Sequence, residues 1–325
     1  MSNRRAFITA LGGAAAWPIA ARAQQAGMPV IGFVRSASLA DAAHLVSAFR
    51  LGLKEAGFIE GQNVTIEYRS GENDRDRLTA IVTDFTHRPV SLIIANVVAA
   101  LAAKAATTTV PIVFATGSDP VQDGLVPSLN RPGGNVTGVS FLGGVVGAKR
   151  LELFRQLVPS VRTIAVLVGP DSSDVAAERR DVEAAAQAVG QQLIVFKTTN
   201  ELEIETAFAT LVQRGAGALF AGTGAFMTSH RERLVALAAR NVLPASYGLR
   251  EFVAAGGLMS YGASITDAYH QVGIYAGRVL KSEKPADLPV MQSTKFDLVI
   301  NLITAKALGL DVPLGMSAAA DEVIE

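Results

Sequence analysis

Small polar residues follow several apolar segments of this sequence, at positions where a buried strand would end. The stretch PIVFATGSDP (111–120) leads from four apolar residues into Thr116, Gly117, Ser118 and Asp119. Two hydroxyls and a carboxylate in one tight turn can bind a polar ligand, and a carboxylate can also serve as a general acid or base. Asp-Pro before a helix is equally typical of an N-cap followed by proline at the first helical position. Asp119 can therefore cap a helix, contact a ligand amine or take part in acid–base chemistry.

Acid–base chemistry is the least favoured of these roles. No histidine lies near Asp119 in the sequence, and no second acid is paired with it. Capping is favoured because it needs no other residue, and capping and ligand contact can coexist. The four histidines fall on predicted helices or at their ends without a partner four residues away, which is typical of surface residues or of residues with satisfied hydrogen bonds rather than metal ligands. The chain has no cysteine, no phosphate-binding loop motif and no nucleophile-elbow motif. We expect neither a metal nor a cofactor.

The chain around these groups alternates between short β-branched segments and amphipathic helical stretches. The first series runs from VIGFV (30–34) to PIVFA (111–115), with a helix predicted after each strand, including one over 120–129. The turn RPGGNVTGVSF (131–141) separates it from a second series, which starts near 147, includes a helix predicted over 228–240 and ends at 310. Continuous apolar strands between helices predict an α/β fold with two parallel sheets, each covered by helices on both faces.

In open α/β sheets, ligands bind beyond the carboxyl ends of the strands. Several of the loops at these ends also precede helices, whose free N–H groups and positive dipole ends suit an anion. The pattern therefore predicts a cleft for a carboxylate-bearing ligand. The candidate ligand-binding residues are Ser36, Ala37, Asn96, Thr116, Gly117, Ser118, Asp119 and Phe141 in the first series and Asp171, Ser172, Thr223, Tyr247, Glu251 and Tyr261 in the second.

Each of these residues also has a purely structural interpretation. Ser36 and Ser172 fit turns or helix caps, and Asp171 fits an ordinary turn after Gly-Pro. Tyr247 and Tyr261 fit half-buried core positions at strand ends. Glu251 fits a first-turn helix acid that the helix dipole stabilises.

Residues 1–23 differ from the rest of the chain. They contain Arg4-Arg5, an apolar stretch from 6 to 20 and the A-x-A-like sequence Ala21-Arg22-Ala23, a pattern that predicts a cleavable signal peptide. The arginine pair resembles a twin-arginine signal but departs from it at Thr9, so general secretion stays open. An uncleaved membrane anchor is the alternative, and the shortness of the apolar stretch disfavours it. Cleavage would remove three basic residues and the only tryptophan, leaving 26 basic and 29 acidic residues, with the protein in the periplasm.

The composition limits the kind of protein further. Half of the 325 residues are hydrophobic and 18% are charged, enough to build two sizeable cores. The formal net charge is zero and no basic run occurs, so a nucleic-acid partner is not expected. After the signal segment, Lys104 interrupts the longest apolar candidate for a membrane span.

Several long stretches resemble one known family. They look like the ABC-transporter substrate-binding proteins whose characterised relatives bind tryptophan or tyrosine, with a type I periplasmic-binding-protein fold. The similarity runs from about residue 29 to the C-terminus. The stretches are HLVSAFRLGLKEAGFIEGQNVTIEYR, AAKAATTTVPIVFATGSDPV, LNRPGGNVTGVSFL, AAGGLMSYGAS and TKFDLVINLITAKALGL.

The resemblance implies two lobes joined by three hinge strands, with the ligand in the cleft between them. We expect lobe 1 to span 28–141 and 263–287, lobe 2 to span 142–262 and 288–312, and 313–325 to form a tail. The resemblance also implies hinge closure around the ligand and delivery to an ABC permease in the inner membrane by a monomeric receptor. In this family Asn-Pro-Asn commonly stands where this chain has Gly169-Pro170-Asp171, so the identity of the ligand is open.

We therefore interpret the chain as a periplasmic receptor rather than an enzyme, with an amino acid or aromatic carboxylate as ligand. Polar residues of the first lobe would bind the polar head, and Asp119 or Glu251 would neutralise an amine. Tyr247, Tyr261 and Phe141 would pack on an apolar or aromatic body. A hydrolase or racemase on the same frame is one alternative, but no convincing nucleophile–base pair is present. A sensor that presents its ligand to a membrane receptor is the other.

Overall fold

A computed structural model describes residues 27–39, 42–72, 74–141, 146–170 and 173–325. The predicted signal peptide (1–23), Asp171 and Ser172 lie outside the described residues. Among those described, no helix is long and apolar enough to span a membrane. The strands are β1 (Val30–Arg35), β2 (Thr65–Ser70), β3 (Leu92–Asn96), β4 (Ile112–Thr116), β5 (Val136–Ser140), β6 (Thr163–Val168), β7 (Gln192–Lys197), β8 (Ala218–Ala221), β9 (Ala245–Tyr247), β10 (Met259–Ala263), β11 (Met291–Gln292), β12 (Phe296–Asn301) and β13 (Glu322–Ile324).

The helices lie between these strands in nearly regular alternation. They are α1 (Ala43–Glu55), α2 (Arg75–His87), α3 (Val97–Ala106), α4 (Gly147–Leu157), α5 (Ser173–Ala188), α6 (Glu201–Gln213), α7 (Ala225–Ser229), α8 (Arg231–Arg240), α9 (Arg250–Ala254), α10 (Ile265–Leu280), α11 (Leu302–Ala307) and α12 (Leu314–Ala319), with a 3-10 turn at Pro285–Asp287.

The first lobe is a parallel sheet with the strand order β11-β5-β4-β3-β1-β2. Its central strands β1, β3 and β4 are apolar on both faces because helices cover both sides. Helices α1 and α10 pack on the face that carries Phe33, whereas α2 and α3 pack on the face that carries Val34. The helix after β1 and the helix after β3 therefore lie on opposite faces, which makes the β1/β3 boundary the topological switch point of this sheet.

The second lobe is a seven-stranded sheet with the order β13-β12-β10-β9-β8-β6-β7. Its strands pair in parallel except β10 and β12, which are antiparallel. The antiparallel pair arises because the chain leaves the lobe after β10, builds α10 and β11 in the first lobe and returns from the opposite direction. Helix α5, which follows β6, packs on one face, and α8, which follows β8, packs on the other, so this sheet has its switch point between β6 and β8.

The fold confirms two α/β sheets flanked by helices and differs locally from the prediction. Residues 120–124 form turns rather than the start of a helix, because Gly124 adopts φ +74° and Pro127 follows. The helix predicted over 228–240 is divided at His230, whose ring contacts the Phe226 carbonyl. The segment 313–325, expected as a tail, contributes α12 and the edge strand β13. The short strand Met291–Gln292, assigned by sequence to the second lobe, pairs with β5 in the first sheet.

The chain crosses between the two sheets at three places: after β5, after β10 and between β11 and β12. The crossings lie side by side. The Ser293 backbone N–H donates to the Ser140 carbonyl at 2.8 Å, and the Ser264 N–H donates to the Lys295 carbonyl at 3.0 Å. Connections held together in this way can act as one hinge on which the lobes rotate.

Helices α1 and α10 meet in direct backbone contact. A Cβ atom on Gly52 would lie 1.9 Å from the His270 carbonyl oxygen, and one on Gly273 would lie 2.2 Å from the Phe49 carbonyl oxygen. Glycine is therefore required at both positions for the helices to approach this closely. The contact anchors α10 to the first lobe, although this helix follows a strand of the second.

We predict that Gly52→Ala destabilises the protein by about 1–3 kcal/mol or more, because the added methyl group must separate the two helices. Urea unfolding measures the change in free energy. Gly315→Ala is the control, because its Cβ would meet nothing within 4 Å and a helical alanine is favoured by about 0.5–1 kcal/mol over glycine. Equal stability of the Gly52→Ala variant and the unmodified protein would contradict the close packing.

Candidate functional site

Polar residues gather at the carboxyl edge of the first sheet around its switch point. At the ends of β1 and β3, Ser36 and Asn96 exchange two hydrogen bonds. The Ser36 backbone N–H donates to Asn96 Oδ1 at 3.0 Å, and Asn96 Nδ2 donates to Ser36 Oγ at 2.8 Å. Ala37 follows in the same partly exposed turn. The structure thus joins two of the predicted site residues across the switch point by hydrogen bonds between them.

The turn after β4 is held by its own side chains. The Thr116 and Ser118 hydroxyls are 2.8 Å apart, and Ser118 also donates to the Asp123 carboxylate. The ring of Phe141 packs over Gly117, where a Cβ atom would lie 2.9 Å from Phe141 Cε2. A side chain at position 117 would therefore displace the ring, which places Phe141 on this turn beside the first crossing.

The Asp119 carboxylate serves as a cap, as the favoured interpretation predicted, although it caps a turn. Its Oδ1 atom accepts from the backbone N–H groups of Val121 and Gln122 at 2.8 and 3.3 Å. Its Oδ2 atom accepts from Gln122 Nε2 at 3.1 Å. Both carboxylate oxygens therefore have donors within the turn.

In the second lobe, Thr223 follows β8 at the switch point and donates two hydrogen bonds to a buried carboxylate. Glu178 Oε2 accepts from the Thr223 backbone N–H at 2.7 Å and from its hydroxyl at 2.8 Å. The other oxygen, Oε1, accepts from Arg150 Nη2 at 2.9 Å. The side chains of Arg150 and Glu178 are 1% and 2% exposed, so this is a buried ion pair.

The Arg150 guanidinium also lies 3.8 Å from the Phe220 ring centroid and donates to the Ala221 carbonyl. Burial lowers the pKa of Arg150, and the Glu178 charge opposes this effect by raising it. Removing either partner of the ion pair would strongly destabilise the protein, because the other partner would remain as an unpaired buried charge. Glu178 and Arg150 therefore hold the Thr223 loop in place at the sheet edge.

The two tyrosines of the second lobe differ in environment. Tyr247 is 1% exposed and its ring stacks on Phe252 at a centroid distance of 4.7 Å, so it contacts the lobe's core in this conformation. Burial raises the pKa of its hydroxyl. Tyr261 is half-buried on β10 and lies 6.2 Å from the Phe296 ring, next to the crossings. Of the two rings, that of Tyr261 is the more exposed.

Glu251 makes a contact between the lobes that sequence reasoning missed. Its Oε1 atom lies 3.2 Å from Nε2 of His44, at the start of α1 in the first lobe. Burial raises the pKa of Glu251, but the hydrogen bond from His44, its own backbone N–H and the charges of His44 and Arg250 outweigh this effect and lower it below its ordinary value near 4.5. The two lobes are thus close together here, with the Glu251 carboxylate engaged between them.

Arg35 is the other functional candidate that sequence reasoning missed. It is the last residue of β1, directly before Ser36, and its Nε and Nη1 atoms are buried without a hydrogen-bond partner. The signal was present in the sequence, since a charged residue ends an otherwise apolar strand. Among the described residues, no cluster of three His, Asp or Glu side chains could hold a metal ion.

A surface hollow of about 470 Å³ lies at the opposite end of the first sheet. Its lining includes Pro29, Ser91 and Pro111, which precede β1, β3 and β4. It is therefore at the amino edge of the strands, where ligands of open α/β sheets do not usually bind. The carboxyl edges remain the candidate site.

Two α/β sheets joined by three adjacent crossings, with the lobes in contact at His44 and Glu251, form the fold of two-lobed periplasmic binding proteins. Residues 28–324 match the family described as ABC transporter substrate binding protein, and the chain belongs to this family. The chain is 27% identical over 263 residues to a tyrosine-binding protein from Clostridioides difficile, covering 81% of this chain and 75% of that one.

Two solved structures are similar over nearly their whole length. One is an ABC domain from Streptococcus pneumonia in complex with L-Trp, with 26% identity, a TM-score of 0.79 and coverage of 92% of this chain and 100% of that one. The other is a ligand-free, open substrate-binding protein with adhesive properties from Clostridium difficile. It has 26% identity, a TM-score of 0.71 and coverage of 91% and 99%. A LacI-family repressor at 15% identity shares the fold alone.

We predict that Glu178→Ala destabilises the protein by about 3–5 kcal/mol, because it leaves Arg150 buried and unpaired. Lys149→Ala is the control in the same helix, because it breaks an exposed pair with Glu152 that is worth about 1 kcal/mol or less. Urea unfolding gives both values. A cost no greater than that of Lys149→Ala would show that the ion pair does not hold this loop.

We also predict that Glu251 contributes to stability at neutral pH and loses this contribution in acid. Because its pKa is lowered in the folded protein, the contribution is present above its ordinary value near 4.5 and is lost as the pH falls through the lowered value. The measurement is the difference in unfolding free energy between the protein and Glu251→Gln from pH 7 to pH 3, which should shrink toward the acid end. Glu232→Gln, at a position 81% exposed, is the control. A difference that stays constant with pH would contradict the prediction.

Proposed function

We propose that this protein is a periplasmic receptor of an ABC uptake transporter that closes around a small carboxylate-bearing ligand. The observation that carries the proposal is the contact between Glu251 and His44, which joins the helix after β9 in one lobe to the helix after β1 in the other, on lobes connected by three adjacent crossings. Ser36 and Asn96 lie at the carboxyl edge of the first sheet, and Thr223 lies at that of the second. Family membership supports it, as does the L-Trp complex of a relative. An amino acid or an aromatic carboxylate is the proposed ligand.

Each lobe would supply a different part of the binding site. Ser36, Asn96, Thr116 and Ser118 would bind the polar head of the ligand through hydroxyl and amide groups. Phe141 and Tyr261, one from each side of the hinge, would pack on its apolar body. Closure would be favoured because only the closed state lets the ligand contact both edges at once.

The same proposal includes export of the chain to the periplasm and delivery of the bound ligand to a membrane permease. The proposed signal peptide, 1–23, would be removed so that the mature protein begins at Gln24. The intact mass of the protein recovered from the periplasm of an expressing bacterium tests this, because cleavage gives the mass of 24–325. The mass of the full chain in the membrane fraction would instead support an anchored protein.

Thermal shift assays on protein that has been unfolded and refolded to remove bound ligand test the binding function. Amino acids and aromatic carboxylates are added singly, and a ligand at a hundred times its Kd stabilises the protein by about 2.7 kcal/mol. The bound ligand is then released and identified by mass spectrometry. Recovery of the unchanged compound supports a receptor, and recovery of a converted product would support an enzyme instead.

We predict that Tyr261→Ala weakens binding of the best ligand about tenfold or more while the protein remains folded, because the ring would cover the apolar body of the ligand. Calorimetric titration gives the affinity, and thermal unfolding without ligand reports the fold. Phe58→Ala is the control, because Phe58 is also a half-buried aromatic residue of the core but precedes β2, at the amino edge of its sheet. Unchanged affinity in Tyr261→Ala would remove this residue from the site.

A further inference from the structure

The geometry points to Arg35 as the group that binds the ligand's carboxylate. This inference rests on the proposed function and specifies which chemical feature of the ligand the receptor recognises. Arg35 is the last residue of β1, and the switch point between β1 and β3 is where the crevice of an open α/β sheet lies. Its neighbours on that edge are Ser36 and Asn96, which are already hydrogen-bonded to each other.

The Arg35 guanidinium has hydrogen-bond capacity that nothing in the described protein uses. Its Nε and Nη1 atoms are buried and have no partner. Buried donors without partners are rare and costly, so an unfilled pair at a sheet edge indicates a missing acceptor. A guanidinium presents its N–H groups in a planar fork that matches a carboxylate, with two parallel hydrogen bonds.

Tyr269 supports Arg35 from the helix behind it. Tyr269 lies in the first turns of α10, and burial raises the pKa of its hydroxyl, while the charge and hydrogen bond of Arg35 lower it by less. Tyr269 also packs 6.1 Å from Phe33, two residues before Arg35 on the same face of β1. The guanidinium is therefore held between β1 and the start of α10, with its free donors available to a third group.

Charge also distinguishes Arg35 from the acids of the cleft. The Asp119 carboxylate is occupied by the turn that follows it, and the Glu251 carboxylate by His44. Arg35 has no carboxylate within the described protein to neutralise it. A ligand carboxylate would supply that charge, and it would gain the strength of a charge-assisted hydrogen bond in a site shielded from water.

The test compares acids with their carboxamides on the full chain and its Arg35→Gln variant. The twenty common L-amino acids, indole-3-acetate, phenylacetate and benzoate are titrated into refolded protein by calorimetry, and the tightest acid is compared with its carboxamide. We expect Arg35→Gln to weaken the acid at least tenfold, equivalent to 1.4 kcal/mol, and to leave the amide within twofold. Arg35→Lys should recover part of the affinity, because it keeps the charge without the planar fork.

Arg69→Gln is the matched control, since it removes the same charge from the neighbouring strand. The Arg69 side chain is about half exposed and lies 3.7 Å from Glu67. The affinity of the Arg69→Gln variant for the acid should match that of the unmodified protein. Unfolding midpoints without ligand show that each variant is folded before it is titrated.

The outcomes separate this inference from the proposed function. If Arg35→Gln binds the acid as tightly as the unmodified protein, or loses acid and amide equally, the role of Arg35 is overturned and the receptor function stands. If the unmodified protein binds none of these carboxylates, the proposed function is overturned together with the role of Arg35. A selective loss of the acid supports both.

Discussion

The backbone contact between α1 and α10 is the constraint on which the two-lobed arrangement depends. Gly52 and Gly273 let the helices touch, so the chain must return to the first lobe after β10 and cross once more to form β12. Without that return there would be two successive α/β domains joined by one linker. With it, three neighbouring connections form the hinge. The same contact sets Tyr269 behind Arg35 and holds the helix that carries His44.

The distribution of charge at the cleft follows from how each side chain is already engaged. The carboxylates at the two edges are occupied by protein donors, with Glu178 under Thr223, Asp119 in its turn and Glu251 on His44. The first two stiffen the loops of their own lobes, and the third joins the lobes. The Nε and Nη1 atoms of Arg35 are buried without a partner, and our proposal that the cleft recognises an anion rests on these two donors.

Much of the fold followed from the sequence, because continuous apolar strands and amphipathic helices are encoded locally. The strands ending at Asn96 and Thr116 and the cap at Asp119 are of this kind. The division of the helix at His230 and the turns at 120–124 were missed, since each depends on one side chain or one glycine overriding helix propensity. The antiparallel β10–β12 pair and the strand at 322–324 depend on contacts between distant parts of the chain.

The site was harder to predict than the fold. The rule that ligands bind at carboxyl edges predicted the positions of Ser36, Asn96 and Thr223 at those edges, but it could not show that Tyr247 is buried in the core. It also passed over Arg35, because a charged residue at the end of a strand looks like any solvent-exposed terminus until its burial is known. The contact of His44 with Glu251 was not predicted, because the two residues are 207 positions apart in the chain.

A crystal structure of the protein with its co-purified ligand would show whether the ligand lies between the lobes and binds Arg35. We expect ligand density enclosed by both carboxyl edges, with its anionic group within hydrogen-bond distance of Arg35 and the remainder near Phe141 and Tyr261. Density that touches one lobe only, or that lies in the hollow at the amino edge of the first sheet, would contradict it.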